Sequence, residues 1–461
     1  YDVADNQTVV TDTLGIPTAR RYDLLGLMLA ETNGLSQTSS YGYDAVGNQT
    51  VITDTRGFVT HRVYDRANRL IASTNPLTQT TAYAYDAVGN QTVITDTRGF
   101  VTRYQYDALN RQIASTNALT QTSTTGYDPL GRATILTSTL GLTMTTGYDV
   151  GGRMITSTDA LQRETRSEYD LLGRRTAQID SNGVRTAFEY DAAGRLTAVI
   201  ENAQVGVPAD TQTNVTTRFA YDAVGNMITS TDANLHSTRH RYDLLNQRIQ
   251  TSDPLNRTTV MTYTARGELD QSRDALGRVT AYTYDDIGRL TLLDYPAGTP
   301  DVTYSYDAAA NVTTMIDGTG STTYTYDALN RMATRTHAGR TVTYTYTASG
   351  QVAALEYWGL GSVTYTYDAL DRLDTLQPWD GPASSYTYRG ATAMPATITR
   401  GGITSAYTYT AAHELGAIDH QYLATPLNRF GYTTDAVSNR LTRPNTKYRV
   451  TGRHSLKKCK I

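Results

Sequence analysis

The sequence predicts an all-β protein made of tandem 21-residue β-hairpins that form a long curled or spiral antiparallel sheet, an open shell. Three observations carry that prediction. Tyr1, Tyr22, Tyr43, Tyr64, Tyr85, Tyr106, Tyr127, Tyr148, Tyr169 and Tyr190 recur at an unbroken spacing of 21, each followed by Asp. Turn residues recur in register with them, and the intervening segments are rich in Thr, Val, Ile and Tyr, which suit a pleated, half-buried surface. No window sustains helical periodicity.

After a step of 31 the register resumes at Tyr221 and continues through Tyr242, Tyr263, Tyr284, Tyr306, Tyr326, Tyr346, Tyr367, Tyr388 and Tyr409 in steps of 20 to 22. Residues 43–60 recur unchanged as 85–102, so the array has grown by copying. Four residues after each Tyr stands Gly at 11 of 20 repeats, Asn at Asn68, Asn110, Asn246 and Asn330, and Asp at Asp5 and Asp371. These residue types enter positive φ most readily. The pairs Asp44/Gly47, Asp86/Gly89, Asp128/Gly131, Asp191/Gly194, Asp222/Gly225 and Asp285/Gly288 are therefore read as structural corners. In each, the carboxylate starts a type I turn by accepting backbone N–H bonds, and the Gly closes it as a G1-type bulge.

A second corner of the same chemistry falls about 11 residues after the Tyr, as at Asp12–Gly15, Asp54–Gly57, Asp96–Gly99, Asp274–Gly277 and Asp317–Gly320. One repeat is thus one hairpin. In later repeats Tyr doublets at alternate positions put two rings on one strand face. Twenty hairpins amount to about 40 strands, and at about 4.8 Å per strand the sheet contour is about 190 Å. A sheet of that size curls under its own twist around a centre too wide for side chains to fill.

The organisation read from this register is an array over 1–200, a loop insertion at 201–214, a second array over 215–442 that degenerates after about 386, and a basic tail at 443–461, disordered or non-native. All lysines (Lys447, Lys457, Lys458 and Lys460) lie in that tail. The chain opens on Tyr1 and reads as a fragment of a longer polypeptide. Charged residues make up 18% and the net charge is -3, so nothing points to nucleic acid. The single Cys459 excludes a disulfide framework and a Cys-based zinc site. No run approaches the roughly 18 apolar residues of a membrane span.

The motif Y-D-x-x-G-[NR], as in Tyr43–Asn48, Tyr127–Arg132 and Tyr190–Arg195, resembles the YD repeat of Rhs and teneurin-type proteins across residues 1 to about 442. The resemblance implies a β-hairpin shell that in bacterial Rhs proteins and toxin-complex subunits encloses a C-terminal toxic polypeptide, and in teneurins serves adhesion. It also implies a secreted or cell-surface bacterial location, with toxin cargo or the remaining shell of the same polypeptide as partner. The DPxGL-type self-cleavage signature of Rhs proteins has no counterpart here. Asp128-Pro129-Leu130-Gly131 lies on the repeat register as an ordinary corner, and Asp253-Pro254-Leu255-Asn256 occupies a second corner. Thr434–Asn439 is a last imperfect copy, and no cargo domain follows it.

The recurring carboxylates do not form the unique pair that glycoside hydrolysis needs, nor the glycine-rich nonapeptide of calcium-binding rolls. They read as turn caps, and no catalysis, cofactor or metal is expected. His236 and His240 would share a face of an extended segment, without a third ligand; His413 and His420 lie in the degenerate region. Sequons at Asn6, Asn48, Asn90, Asn214, Asn256 and Asn311 mostly fall at turns. Trp358 and Trp379 flank irregular stretches suited to local packing or a partner. Tyr324, Tyr326, Tyr344, Tyr346, Tyr365 and Tyr367 form a candidate ligand stripe, since rings on a sheet face can stack on pyranose faces; cross-strand packing explains them as well. The function expected is a non-enzymatic shell segment presenting or encapsulating toxin cargo. The alternative is a surface adhesin-like module that binds carbohydrate or protein.

Overall fold

The computed structural model describes residues 1–411, 413–434, 440–442 and 445–447. Every regular element among them is a β-strand, and strands pair antiparallel with their sequence neighbours. The chain forms two compact units, Tyr1–Val101 with Thr186–Leu360, and Thr102–Arg185 with Gly361–Ile461. The expected tail at 443–461 lies outside the described residues apart from Asn445–Lys447, a strand that pairs with Asn428–Phe430. Of the imperfect copy at Thr434–Asn439, residues 435–439 lie outside them too.

One repeat shows how local chemistry makes the hairpin. Thr38–Tyr43 runs into a corner and returns as Gln49–Thr53, which turns again into Val59–Tyr64. Gly47 N–H donates to Asp44 O at 3.1 Å, Asp44 N–H donates to Asn48 O at 3.0 Å, and Gly47 takes φ +91°. Gly42 faces Val51 and Tyr43 faces Gln49, so Thr50 is the extra residue of a bulge that follows the corner. Such a bulge re-aims the side chains beside it. At the second corner Asp54 Oδ1 accepts from Arg56 and Phe58 N–H, both at 2.9 Å, before Thr53 pairs with Val59.

Two expectations about the second corners need correction. Asp317 and Gly320 are themselves paired strand residues, leaving Gly318 and Thr319 as a two-residue turn. The same shortening occurs at His337/Arg340, Arg400/Ile403 and Tyr422/Thr425, where the central residues (Ala338 and Gly339, Gly401 and Gly402, Leu423 and Ala424) all take positive φ. These are type I′ turns, whose twist matches the strands they join. Positive φ also reaches residues that composition does not flag: Ser36, Thr78, Thr120, Gln162 and Leu235 close corners begun by Asn or Asp. The Asx bonds fix those corners whatever residue follows; Asn33 Oδ1, for example, accepts from Leu35 and Gln37 N–H.

Neither unit has a conventional core. Among the described residues only Ala114, Ala177, Ala198, Val363 and Ala417 are buried apolar positions, with Thr322 and Ser384 as buried polar ones. Most strand residues are half-buried, as expected of a single layer of hairpins whose stability comes from neighbour contacts.

Within each unit the chain also meets itself at the hairpin corners. In the first unit Thr13, Thr55 and Thr97 hydroxyls, each one residue into a second corner, donate to the carbonyls of Ala265, Ala308 and Ala348 at 3.2, 2.6 and 2.8 Å. The separations of 252, 253 and 251 residues join each repeat to the twelfth one after it. In the second unit Arg163 pairs with Glu414 at a separation of 251. Arg56 is the best-enclosed link: its side chain is 11% exposed, and its guanidinium donates to Asp327 O at 3.0 Å and to Ala328 O at 3.4 Å.

Thr78 sits at φ +63°, a costly place for a β-branched residue. Thr78→Gly is expected to stabilise the protein by roughly 0.5–1 kcal/mol, net of the larger unfolded-state entropy of glycine. Gly47→Val is expected to cost at least about 1 kcal/mol because of its torsion; a Cβ at Gly47 would meet nothing closer than Leu27 Cδ1 at 3.9 Å. Opposite shifts in thermal midpoint check the pair. Arg56→Ala removes charge-assisted bonds in an enclosed place and is expected to cost about 1–3 kcal/mol by the same measurement.

Candidate functional site

The corners that follow the repeated Tyr form a ladder from repeat to repeat. Asp128 Oδ1 accepts from Leu130 and Arg132 N–H, both at 2.9 Å, and its Oδ2 accepts from Arg132 Nε at 2.7 Å. Arg132 then reaches into the next repeat, where Nη1 donates to Asp149 O at 2.9 Å and the guanidinium lies 4.8 Å from the Tyr148 ring centre. Tyr148 in turn donates its hydroxyl back to Ala133 O at 2.9 Å. Carboxylate, guanidinium and ring therefore tie two repeats together. The same contact of cation on ring recurs for Arg69/Tyr85, Arg111/Tyr127, Arg153/Tyr169, Arg195/Tyr221, Arg289/Tyr306, Arg331/Tyr346 and Arg372/Tyr388.

Where the ladder position is Asn, the partner changes with it. Asn48 Nδ2 donates to Asp44 Oδ2 at 2.9 Å and to Asn68 Oδ1 at 3.0 Å. Asn226 does the same to Asp222 and Asn246, and Asn311 to Asp307 and Asn330. Asn68, Asn246 and Asn330 thus serve as acceptors for the preceding repeat as well as at positive φ. The signal was in the sequence as a correlation between neighbouring repeats, which reading one repeat at a time does not reveal.

The named glycines take φ +91° at Gly47, +101° at Gly89, +83° at Gly131 and Gly194, +102° at Gly225 and +80° at Gly288. The aspartates before them hold their carboxyls below the ordinary range. For Asp44, Asp86 and Asp222 the first cause is the side-chain bond from Asn48, Asn90 and Asn226. For Asp128 and Asp191 it is the backbone bond from Arg132 and Arg195. At Asp285 burial pushes the other way, and the bonds from Arg289 outweigh it. Fixed, ionised and bonded to their own corners, these carboxylates are turn caps in geometry.

The candidate Tyr stripe divides into two kinds of ring. Tyr326 and Tyr346 donate their hydroxyls to Val312 O at 2.8 Å and Met332 O at 2.7 Å, as ladder members do, and burial raises the phenol pKa of Tyr326, Tyr346 and Tyr367. The outer rings sit opposite strand partners: Tyr324 faces Arg335, Tyr344 faces Leu355 and Tyr365 faces Leu376. The same position pairs Tyr282 with Leu293, Tyr304 with Met315, Tyr386 with Ile398 and Tyr407 with Ile418. The later repeats therefore carry an aromatic and aliphatic row that is half open to solvent.

His236 does not share a strand face with His240. It lies at the corner before Ser237–Tyr242 and bonds Asp232 Oδ2 at 3.3 Å, because the Asx turn reaches that far. His240 bonds Thr251 Oγ1 at 3.1 Å; burial, then Arg248, lowers its pKa. His413 closes a corner at φ +67°, and His420 bonds Ser405 and packs edge-on to Phe430. No group of three or more His, Cys, Asp or Glu side chains that could hold a metal ion occurs among the described residues. No helix among them is long and apolar enough to cross a membrane. Residues 202–214 form a loop in which Asn214 Nδ2 donates to Gln204 O and Val207 O. Trp358 and Trp379 are 65% and 45% exposed.

Tandem hairpins joined by a corner ladder define a repeat-built structural scaffold. The RHS Repeat family model matches residues 22–59, 64–101, 85–122, 148–184 and 169–204, and the Teneurin YD-shell model matches 273–377. The chain belongs to the YD-repeat family of Rhs and teneurin type. No curated protein matches it. Among solved structures it is similar to TcdB2-TccC3 without its hypervariable C-terminal region (TM-score 0.66, 17% identity, covering 94% of this chain and 26% of that one). It is also similar to TcdB2-TccC3-Cdc42 (0.60, 17%, 92% and 26%) and to the Photorhabdus luminescens Tc holotoxin pore carrying TccC3-D651A (0.50, 15%, 91% and 29%). The chain spans about a quarter of the length of the first two, and the likeness is one of fold.

The depressed carboxyls imply a direction for acid sensitivity. A group whose folded pKa lies below its unfolded value of 3.8 stabilises the fold fully above that value, and the contribution is lost as pH falls through the folded values. The thermal midpoint is expected to be flat from pH 7 to about 5 and to fall steeply below about 4. A midpoint unchanged at pH 2 would remove the carboxylates from the ladder's energetics.

Proposed function

We propose that this chain is a wall segment of a secreted or cell-surface shell whose function is to enclose or present a polypeptide cargo, and that it performs no catalysis itself. The observation that carries the reading is an aromatic and aliphatic row in each unit: Tyr282/Leu293, Tyr304/Met315 and Tyr344/Leu355 in the first, interrupted by Tyr324/Arg335, and Tyr365/Leu376, Tyr386/Ile398 and Tyr407/Ile418 in the second. In a sheet without a second layer, such a row leaves apolar surface half open. An incompletely folded polypeptide offers the complementary apolar segments. The repeated, ionised caps support the absence of catalysis, because no carboxylate among them is singular in environment.

An unfolded reporter appended after Ile461 tests the reading. Thermolysin is expected to degrade the appended reporter more slowly than the free reporter, and Leu355→Asp with Leu376→Asp to remove the difference while the far-UV spectrum stays that of a β-sheet. Equal rates for appended and free reporter overturn it, as does hydrolytic turnover lost on changing a single corner Asp. The glycan-binding alternative rests on the outer rings Tyr324, Tyr344 and Tyr365. It expects glycan-array binding that their replacement with Ala abolishes.

A further inference from the structure

We propose that the uncovered corners of the first unit bind the uncovered second corners of another copy of this chain, head to tail, through the rim contact that the chain already makes with itself. The proposal goes beyond the shell reading and does not depend on it.

The self-contact sets the rule. Second corners early in the first unit, at Asp12–Gly15, Asp54–Gly57 and Asp96–Gly99, hold the Tyr-Asp corners twelve repeats later through Thr13, Thr55 and Thr97, and Arg56 reaches the corner thirteen repeats later. The corner tips covered by Thr55, Arg56 and Thr97 are half-buried, as at Ala308, Ala309, Ala328, Leu329 and Ala348, while Ala265 beneath Thr13 at the outermost contact stays exposed. The earlier corners of the same unit have identical local geometry but nothing over them, and their tips are apolar: Leu24, Leu25, Val46 and Val88 are 98%, 80%, 70% and 73% exposed. Exposed Arg66 and Ala67 stand at the corner between Val46 and Val88, and apolar residues on the other three loop tips, where polar ones are the rule, mark an interaction surface.

The complementary surface is present in the same unit. Asp253-Pro254-Leu255-Asn256 repeats the pattern of Asn75-Pro76-Leu77-Thr78, and Asp274-Ala275-Leu276-Gly277 is a second corner of the same build. Leu77 is half-buried, whereas Leu255 and Leu276 are 72% and 78% exposed. One rim thus offers bare Tyr-Asp corners and the other bare second corners, the two partners of a contact already formed within the chain. Because the surfaces differ, the association is heterologous, and each added copy leaves a free rim for the next.

Sedimentation of the whole chain over a concentration series tests this. The weight-average mass is expected to rise with concentration. The double variant Leu24→Asp/Leu25→Asp and the double variant Leu255→Asp/Leu276→Asp are each expected to remain monomeric alone and to form a dimer when mixed, since each retains one intact rim. Far-UV spectra matching the parent establish that both are folded. A parent that stays monomeric throughout overturns the proposal and leaves the rim to further repeats of the same polypeptide. A mixture that stays monomeric overturns it too. So does association that survives both double variants and is lost on Val10→Lys in the outermost strand, Val9–Thr11, which would assign it to strand-edge pairing.

Discussion

The corner aspartate carries the rest of this structure. Its carboxylate closes its own turn through two backbone N–H groups and holds the Arg or Asn that follows, and that residue reaches the next repeat. The Arg guanidinium covers the next Tyr ring, whose hydroxyl returns a bond to the preceding strand. Each element is modest alone, about 0.5–1 kcal/mol for an exposed cation on a ring and a similar amount for a hydrogen bond. Repetition makes them sufficient. A protein with hardly a buried apolar side chain outside a few alanines is held by nearest-neighbour terms summed along the array.

That economy has a structural consequence. A single layer of hairpins leaves both faces half open, so what lies against each face becomes a matter of function rather than folding. At the row position Tyr41 faces Ile52, Tyr83 faces Ile94 and Phe188 faces Val199, while Arg62 faces Ser73, Ser167 faces Gln178 and, in a later repeat, Tyr324 faces Arg335. An aromatic residue opposite an aliphatic one is commonest in the later repeats but is not confined to them.

The rims follow a different logic from the faces. Corners approached by another part of the chain carry Ala265, Ala308, Ala328, Ala348, Asp286 or Gly390 at the second position after Tyr, while uncovered corners include Leu24, Pro129, Val150 and Leu171 there. A small side chain lets the carbonyl be reached by Thr or Arg of the docking corner.

The sequence by itself determined the hairpin, because every feature of the hairpin is local. A carboxylate reaches the N–H groups two and four residues on, and a residue that accepts positive φ closes the turn, so spacing alone exposes both. The Arg-to-Tyr and Asn-to-Asn steps lie one repeat apart and were legible in principle, as the succession of Asn48 and Asn68 or Asn226 and Asn246 demonstrates. The type I′ turns at Ala338/Gly339 and Leu423/Ala424 were not legible, since strand register, fixed by the pairing on either side, chose the turn and overrode the preferences of Leu and Ala. Only the tertiary structure decided which repeats meet: the partner of Thr55 lies 253 residues away. That distance is set by twist and curvature accumulated over twelve hairpins, a sum to which every strand contributes a little and which no single residue encodes.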